Sequence, residues 1–186
     1  MPQQHDVLAP SAWIMRWCAR LAPGALVLDL ACGSGRHSRA LAALGCVVDA
    51  VDIDPTCAEP LAQVAGVRFS AIDLERGAWP FASGRYDAVV VANYLHRPTL
   101  PLLAQALRDG GILVYETFAA GQQQFGRPGN PDFLLEPFEL AACFGASLHV
   151  LGFEDGVRPG PPPARVQRLC AVRTDPARLE RLALPA

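Results

Sequence analysis

The apolar residues of this chain follow two patterns, a helical spacing near the start and short continuous runs after it. Behind a possible Ser11 cap, one helix face carries the apolar side chains at 13, 14, 17, 18 and 21. Five continuous apolar runs follow, at 25–30, 46–51, 67–72, 86–92 and 111–117. Helix-compatible segments separate most of them, at 36–44, 55–65 and 98–108. Because such alternation is typical of parallel sheets covered on both faces, the pattern predicts an α/β protein with a doubly wound sheet.

The last third of the chain has a different pattern. Residues 119–132 are rich in Gly and Pro and predict a long irregular connection, followed by a helix at about 136–144. Two more strands are predicted at 147–153 and 165–173. Because too few residues lie between them for a helical crossover, we expect an antiparallel hairpin, and after it a tail at 174–186 with one helical turn.

Composition supports a single soluble domain over residues 1–186. Apolar residues make up 51% of the chain, and 16 basic residues against 18 acidic ones leave a net charge of −2. The longest apolar stretch, at 40–48, is about half of the ~18 residues that suggest a membrane span. The start lacks the basic segment and apolar run of a secretory signal. We therefore expect a cytoplasmic protein without a membrane partner.

Basic residues and cysteines argue against two further classes. All 16 basic residues are Arg, spread from Arg16 to Arg181 without a cluster, which disfavours a nucleic-acid partner. The six cysteines form no C-x-x-C pair, so neither structural zinc nor another metal site is predicted.

A glycine-rich turn follows the first predicted strand. It reads Asp29-Leu30-Ala31-Cys32-Gly33-Ser34-Gly35, and a helix is expected from about Arg36. Glycines let the backbone approach a ligand closely, and free N–H groups at a helix start favour polar or negatively charged groups. Ser38 stands where the dinucleotide fingerprint needs its third glycine, which disfavours NAD and FAD. Without any Lys, the chain has no P-loop for ATP or GTP.

Acidic residues end the next two predicted strands. Asp52, at the tip of the second strand, is placed to accept hydrogen bonds from ribose hydroxyls. Asp54 precedes Pro55 and is expected to cap the following helix. After the third strand, Asp73 could accept from an exocyclic amine while Leu74 packs on an aromatic base.

Together these segments resemble the nucleoside-binding motifs of class I S-adenosylmethionine-dependent methyltransferases. The resemblance rests on 27–35, 51–54 and 72–74, and it implies a Rossmann-like seven-stranded sheet of order 3-2-1-4-5-7-6 with strand 7 antiparallel. Residues 33–38 and 132–140 are most similar to small-molecule enzymes of the tellurite-resistance type. Ala31 departs from the family pattern, because it replaces the usual first glycine and tightens the loop.

The resemblance also implies roles for individual residues toward S-adenosylmethionine. The methionine part would be lined by Asp29, Ala31, Gly33 and Gly35. The ribose would contact Asp52, and the adenine would contact Asp73 and Leu74. The predicted cofactor-binding set is completed by Arg36, His37, Ile53 and Asn93. His37 has two possible positions: it contacts the cofactor carboxylate, or it is exposed to solvent.

Candidates for the acceptor side follow the fourth and fifth strands. Asn93-Tyr94-Leu95-His96 lacks the proline pair of amino-methylating nucleic-acid enzymes, which argues against DNA adenine methylation. Tyr94, His96 and Glu116 are the candidate catalytic residues. His96 could be a general base or could bond its neighbours, and Glu116 could meet the acceptor or pair with an arginine such as Arg127.

The expected organisation has four parts within the one domain. Residues 1–23 hold an N-terminal helix that covers the site through Trp13 and Trp17, and 24–118 form the cofactor-binding core. An acceptor loop at 119–135 carries Phe125 and Phe133, and 136–186 hold the last helix, the hairpin and the tail. The predicted function is methyl transfer to a small-molecule substrate. The alternatives are an RNA or protein methyltransferase, or a non-catalytic binding subunit.

Overall fold

The computed structural model describes residues 9–160 and 162–174, and its centre is a seven-stranded sheet of order β3-β2-β1-β4-β5-β7-β6. The strands are β1 Leu26–Leu30, β2 Val47–Asp52, β3 Val67–Ala71, β4 Tyr86–Ala92, β5 Leu107–Phe118, β6 His149–Arg158 and β7 Ala164–Val172. β7 runs antiparallel to both β5 and β6, whereas β1 to β5 pair in parallel. The predicted fold class, strand order and hairpin are therefore confirmed.

Helices cover both faces of this sheet. They are α1 Ala12–Cys18, α2 Arg36–Ala43, α3 Leu100–Ala106 and α4 Glu139–Phe144. Alternate residues of a strand point to opposite faces, so Leu113 and Tyr115 of β5 join the cluster under α3 and α4, whereas Val114 joins the cluster under α1 and α2. Two apolar layers on one sheet explain why the central strands are continuous apolar runs. Among the described residues, no helix is both long and apolar enough to cross a bilayer.

Three elements differ from the expected bounds. The predicted helix at 55–65 is instead a 3₁₀ segment, Pro55–Leu61, because Pro60 inside it cannot donate a backbone hydrogen bond. β5 begins at Leu107, where α3 ends, and β6 continues to Arg158. The predicted helical turn in the tail lies outside the described residues.

The tryptophans of α1 are packed against the sheet and line neither strand edge where the acceptor was expected, which corrects the expected lid. Trp13 and Trp17 are 5% and 6% exposed, and their rings contact each other edge to face with centroids 5.7 Å apart. The Trp13 indole donates to the Leu169 carbonyl of β7 at 3.4 Å, and Trp17 lies against Gly152 of β6. This helix face belongs to the core because its large apolar area is buried against the sheet.

Candidate cofactor and acceptor site

The turn after β1 is held in an unusual backbone conformation. Ala31, Gly33 and Gly35 have φ angles of +52°, +54° and +76°, in the left-handed region that favours glycine. A side chain at Gly35 would collide with Leu61, whereas one at Gly33 would point into open space. Gly35 is therefore needed for packing, and Gly33 leaves backbone open to a ligand.

Asp29 lies under this turn and fastens α2 to β1. Its carboxylate is 1% exposed and accepts the Ser38 hydroxyl at 2.5 Å. Burial raises the pKa of Asp29 to about 6, although the bond from Ser38 acts in the opposite direction. Asp29 thus supports the turn from below, and it is not among the residues that line the neighbouring cavity.

Asp52 connects the tip of β2 to the same turn. Its Oδ2 accepts the Gly33 N–H at 2.8 Å, and its Oδ1 accepts the Asp54 N–H at 3.1 Å. A carboxylate oxygen can accept a second hydrogen bond, so both oxygens keep capacity for a ligand. Asp54 accepts the Thr56 N–H and hydroxyl at 2.9 and 2.7 Å, which confirms it as the cap of the 3₁₀ segment.

A cavity of about 550 Å³ opens beside these turns, and we call it the cofactor cavity. It is lined by Ala31, Asp52, Ile53, Ile72, Asp73, Leu74, Glu75, Arg76, Asn93 and Tyr94. Ile53 is 64% exposed, an unusual position for a large apolar side chain at a polar rim. Carboxylates that can accept from hydroxyl and amine groups, beside apolar side chains that can cover a flat base, suit an adenosine. The open space over Gly33 and the carboxylates on this rim fit the cofactor that the sequence implies.

A second cavity of about 490 Å³, the acceptor cavity, adjoins the first. It is lined by Glu75, Asn93, Tyr94, Leu95, Thr117, Phe118, Arg127, Pro128 and Phe133. Glu75, Asn93 and Tyr94 line both cavities and therefore form their junction. Within the described residues the Tyr94 hydroxyl has no hydrogen-bond partner. Burial, reinforced by the nearby Glu75 carboxylate, raises the pKa of Tyr94, so this phenol stays protonated at neutral pH.

The loop that supplies Phe133 is anchored at both ends. At its neck, the Ala120 N–H donates to the Leu135 carbonyl at 2.9 Å. Arg97 donates to the carbonyls of Asp132 and Leu134, each at 2.9 Å, and pairs through two nitrogens with Glu139 at 2.7 and 2.9 Å. This loop therefore has a defined position in the structure.

His96 lies away from the acceptor cavity, contrary to the expected acceptor wall. It lines a separate cavity of about 140 Å³ together with Asp73, Trp79 and Thr99. Its Nδ1 is buried without a hydrogen-bond partner among the described residues. The backbone turns at Asn93, with φ +56°, before it reaches His96, and the following Thr99 bonds the His96 carbonyl.

Glu116 also lies outside the acceptor cavity. It shares the α1 face of β5 with Val114, whereas Thr117 next to it faces the acceptor cavity. The buried Glu116 carboxylate accepts Arg168 Nε at 2.7 Å and the Ser11 hydroxyl at 3.0 Å. Glu116 is therefore ion-paired, as one of the two expectations held, but with Arg168 in place of Arg127.

The segment just before α1 lies across the start of α2. The Ser11 N–H donates to His37 Nε2 at 3.0 Å, and Arg36 donates to the Ala9 carbonyl at 3.3 Å. Burial lowers the pKa of His37 to about 4, so the imidazole is neutral and can accept this bond. His37 is buried and not solvent-exposed, and residues 9–11 lie across the start of α2.

Sequence reasoning did not find Glu75, Arg97 or Ser11 as residues of the site. Arg97 bonds partners 35 to 42 residues away, and Ser11 bonds Glu116 at a separation of 105 residues. No local spacing signals such contacts. Arg127 was considered only as a partner for Glu116, and its place in the cavity depends on the loop fold.

Comparison with known proteins agrees with this geometry. Residues 27–111 match the methyltransferase domain family. An uncharacterized protein of Mycobacterium tuberculosis is 29% identical over 167 residues, covering 82% of this chain and 61% of that protein. The ribosomal protein L11 methyltransferase of Campylobacter concisus is 39% identical over 97 residues, covering 49% of this chain and 34% of the enzyme. The chain thus spans less than two thirds of the length of these relatives.

Among solved structures, TehB from Haemophilus influenzae superposes with a TM-score of 0.69 at 18% identity, covering 84% of this chain and 60% of TehB. The sheet order and the turn after β1 agree with the match of residues 27–111 to a methyltransferase domain. The predicted fold is therefore confirmed, and the predicted resemblance to methyltransferases agrees with the domain match over residues 27–111.

Proposed function

We propose that this chain transfers the methyl group of S-adenosylmethionine to a small molecule held in the acceptor cavity. The observation that carries the proposal is the junction at Glu75, Asn93 and Tyr94, where a nucleoside-sized cavity meets a second cavity of similar volume. Two adjoining cavities at the carboxyl ends of parallel strands are where this kind of fold binds ligands.

Different residues around the cofactor cavity bind different parts of the cofactor. Asp52 accepts the ribose hydroxyls with the lone pairs that Gly33 and Asp54 leave free. Asp73 accepts the adenine amine, while Ile53 and Leu74 cover the ring. The methionine end points along the turn toward Ala31 and Arg36, at the start of α2.

When bound, S-adenosylmethionine supplies an electrophilic methyl group on a positively charged sulfur. The protein needs no nucleophilic side chain of its own, because its task is to align the acceptor and exclude water. Positioning of this kind lowers a barrier by up to ~7–11 kcal/mol. Asn93 and the protonated Tyr94 orient the acceptor atom at the junction.

A proton must leave an acceptor that carries one on its reacting oxygen or nitrogen. Glu75 is exposed at the junction and can take that proton or pass it to water. His96 lines neither the cofactor cavity nor the acceptor cavity, and Tyr94 is already protonated. We therefore assign proton removal to Glu75.

Two measurements test this proposal. Calorimetry should show binding of S-adenosylmethionine and S-adenosylhomocysteine in preference to NAD, because Ser38 interrupts the dinucleotide fingerprint. A screen of small acceptors should then show release of S-adenosylhomocysteine. Binding of NAD with none of S-adenosylmethionine contradicts the proposal, and cofactor binding without turnover on any acceptor class favours a non-catalytic subunit.

A protein acceptor is the second candidate, favoured by the 39% identity to the Campylobacter ribosomal protein L11 methyltransferase. A protruding side chain, such as a lysine or a chain terminus, could reach the junction through the acceptor cavity. Mass spectrometry of ribosomal protein L11 incubated with this chain and S-adenosylmethionine separates the two candidates. Added methyl groups of 14 Da on L11, with no small-molecule product, would establish the second one.

A further inference from the structure

The walls of the acceptor cavity are mostly apolar and partly aromatic. Tyr94, Phe118 and Phe133 contribute rings, and Leu95 and Pro128 contribute aliphatic surface. Phe133 is 50% exposed although its loop is anchored by Arg97. A large apolar side chain held at a cavity mouth with half of its surface free suits contact with a flat apolar ligand.

Arg127 is the only cationic side chain among the described residues that line this cavity. It is exposed, and no carboxylate within residues 9–160 and 162–174 lies within ion-pair distance of it. By contrast, Arg97 and Arg168 near the same edge of the sheet are paired with Glu139 and Glu116. Arg127 therefore keeps its planar donor fork for a ligand, and such a fork matches a carboxylate in geometry and charge.

A buried amide fixes the backbone that carries Arg127. Gln122 is buried, its Nε2 donates to the Arg127 carbonyl at 3.2 Å, and its Oε1 accepts the Arg165 N–H at 2.8 Å. Both ends of this side chain are used, which ties the loop to the start of β7. The position of Arg127 at the cavity is thus built into the fold.

The charged side chains of the acceptor cavity favour one orientation of a bound ligand. Glu75 lines both cavities and lies at the junction, whereas Arg127 lines the acceptor cavity alone. A carboxylate at the junction repels an anion there, and the arginine attracts it within the part of the acceptor cavity that the cofactor cavity does not share. A ligand with one anionic group would therefore enter with its uncharged end toward the junction.

We infer that the acceptor is a small planar acid, an aromatic or heteroaromatic ring that bears a carboxylate. Its carboxylate binds Arg127, its ring packs on Tyr94 and Phe133, and its uncharged hydroxyl or amine faces the junction. This inference deepens and rests on the proposed function, and Arg127 is a specificity residue within it.

Matched ligands test the inference directly. Ligand-observed NMR on the full chain, saturated with S-adenosylhomocysteine, compares 6-hydroxy-2-naphthoate with 6-hydroxy-2-naphthamide and 4-hydroxybenzoate with 4-hydroxybenzamide. We expect each carboxylate to bind at least tenfold more tightly than its amide. Arg127→Gln should remove that preference and leave the affinity for S-adenosylhomocysteine unchanged, whereas Phe133→Ala should weaken carboxylate and amide alike.

Arg68→Gln is the matched control, because it removes the same charge from an exposed arginine on β3 that lines neither cavity. Three results overturn the inference if S-adenosylhomocysteine still binds. Carboxylate and amide bind equally, neither of them binds, or Arg127→Gln keeps the preference for the carboxylate. Failure to bind S-adenosylhomocysteine refutes the proposed function instead, and a carboxylate preference that persists in that case supports the anion site alone.

Discussion

The cofactor cavity takes its walls from short turns directly after β1, β2 and β3, whereas the acceptor cavity depends on a loop held by side chains far along the chain. In the first, Asp52 bonds Gly33 across 19 residues between adjacent strands. In the second, Arg97 bonds the loop and α4 across 35 to 42 residues. The first kind of site recurs wherever the motif recurs, because strand pairing brings its parts together. The second kind is particular to one chain, and it sets what that chain acts on.

The strongest test of this difference between the two cavities is to fill the open space over Gly33 in the turn after β1. Gly33→Val should weaken S-adenosylhomocysteine binding by more than 100-fold, about 2.7 kcal/mol, since a branched side chain would occupy the ligand's space. Calorimetry measures the effect. Gly84→Val is the matched control, because Gly84 also has a left-handed φ and open space around it, yet lies outside both cavities. Equal losses in the two variants would assign the effect to backbone strain.

A second substitution separates the two acids after β2. Asp52→Ala should weaken cofactor binding by about 1.5–3 kcal/mol, the range for hydrogen bonds to a charged group. Asp54→Ala should instead lower the free energy of unfolding through loss of its cap, with little change in affinity. Titration calorimetry and urea unfolding give the two quantities. The reverse pattern would move the ribose contact to Asp54.

The pH dependence of the unfolding free energy tests the contact between His37 and the segment before α1. Its pKa is about 4 in the folded chain, below its ordinary value near 6.5, so the unfolded chain takes up the proton first as pH falls. The contribution of His37 is therefore full above pH 6.5 and is lost between pH 6.5 and 4.

His37→Gln should remove this contribution, so the difference in unfolding free energy between wild type and variant should shrink by roughly 2 kcal/mol from pH 7 to pH 4. Urea unfolding at several pH values measures it. Asp29→Asn should give the opposite slope, because the Asp29 pKa is raised to about 6 and its contribution is lost as pH rises. A flat difference for His37→Gln would mean that the Ser11 bond does not depend on a neutral imidazole.

The smallest expected effect concerns the acceptor side alone. Arg97→Gln should lower turnover by about tenfold, roughly 1.4 kcal/mol, because the segment with Phe133 loses its anchor. Cofactor affinity should change by less than about twofold. Steady-state kinetics with calorimetry on the same samples makes the comparison, and Arg68→Gln again serves as control. A parallel loss of cofactor affinity would show that the two cavities are not independently built.

The sequence predicts the sheet, and it predicts part of the lining of the cofactor cavity, for a physical reason. Strand runs, the turn after β1 and the acids at strand tips are local patterns, and parallel pairing then brings Ala31, Asp52, Asp73 and Asn93 to one edge. The sequence also contains a signal against a regular α-helix at Pro55–Leu61, because Pro60 lies inside this segment.

The acceptor side was harder to predict because it is set by which face a residue takes and by distant contacts. Glu116 and Thr117 are neighbours in sequence, but only Thr117 faces the acceptor cavity. His96 follows Tyr94 by two residues and lines a different cavity, together with Trp79 and Thr99. The apolar stripe of α1 was recognised, but whether it covers an opening or the sheet depends on tertiary packing.

The hydrogen bond from Gly33 to Asp52 also has a kinetic consequence. Because folding itself positions the carboxylate and the turn, little conformational entropy remains to be lost when a nucleoside arrives. Such a site should accept its ligand without a slow rearrangement, so association should proceed at the rate expected of a rigid site.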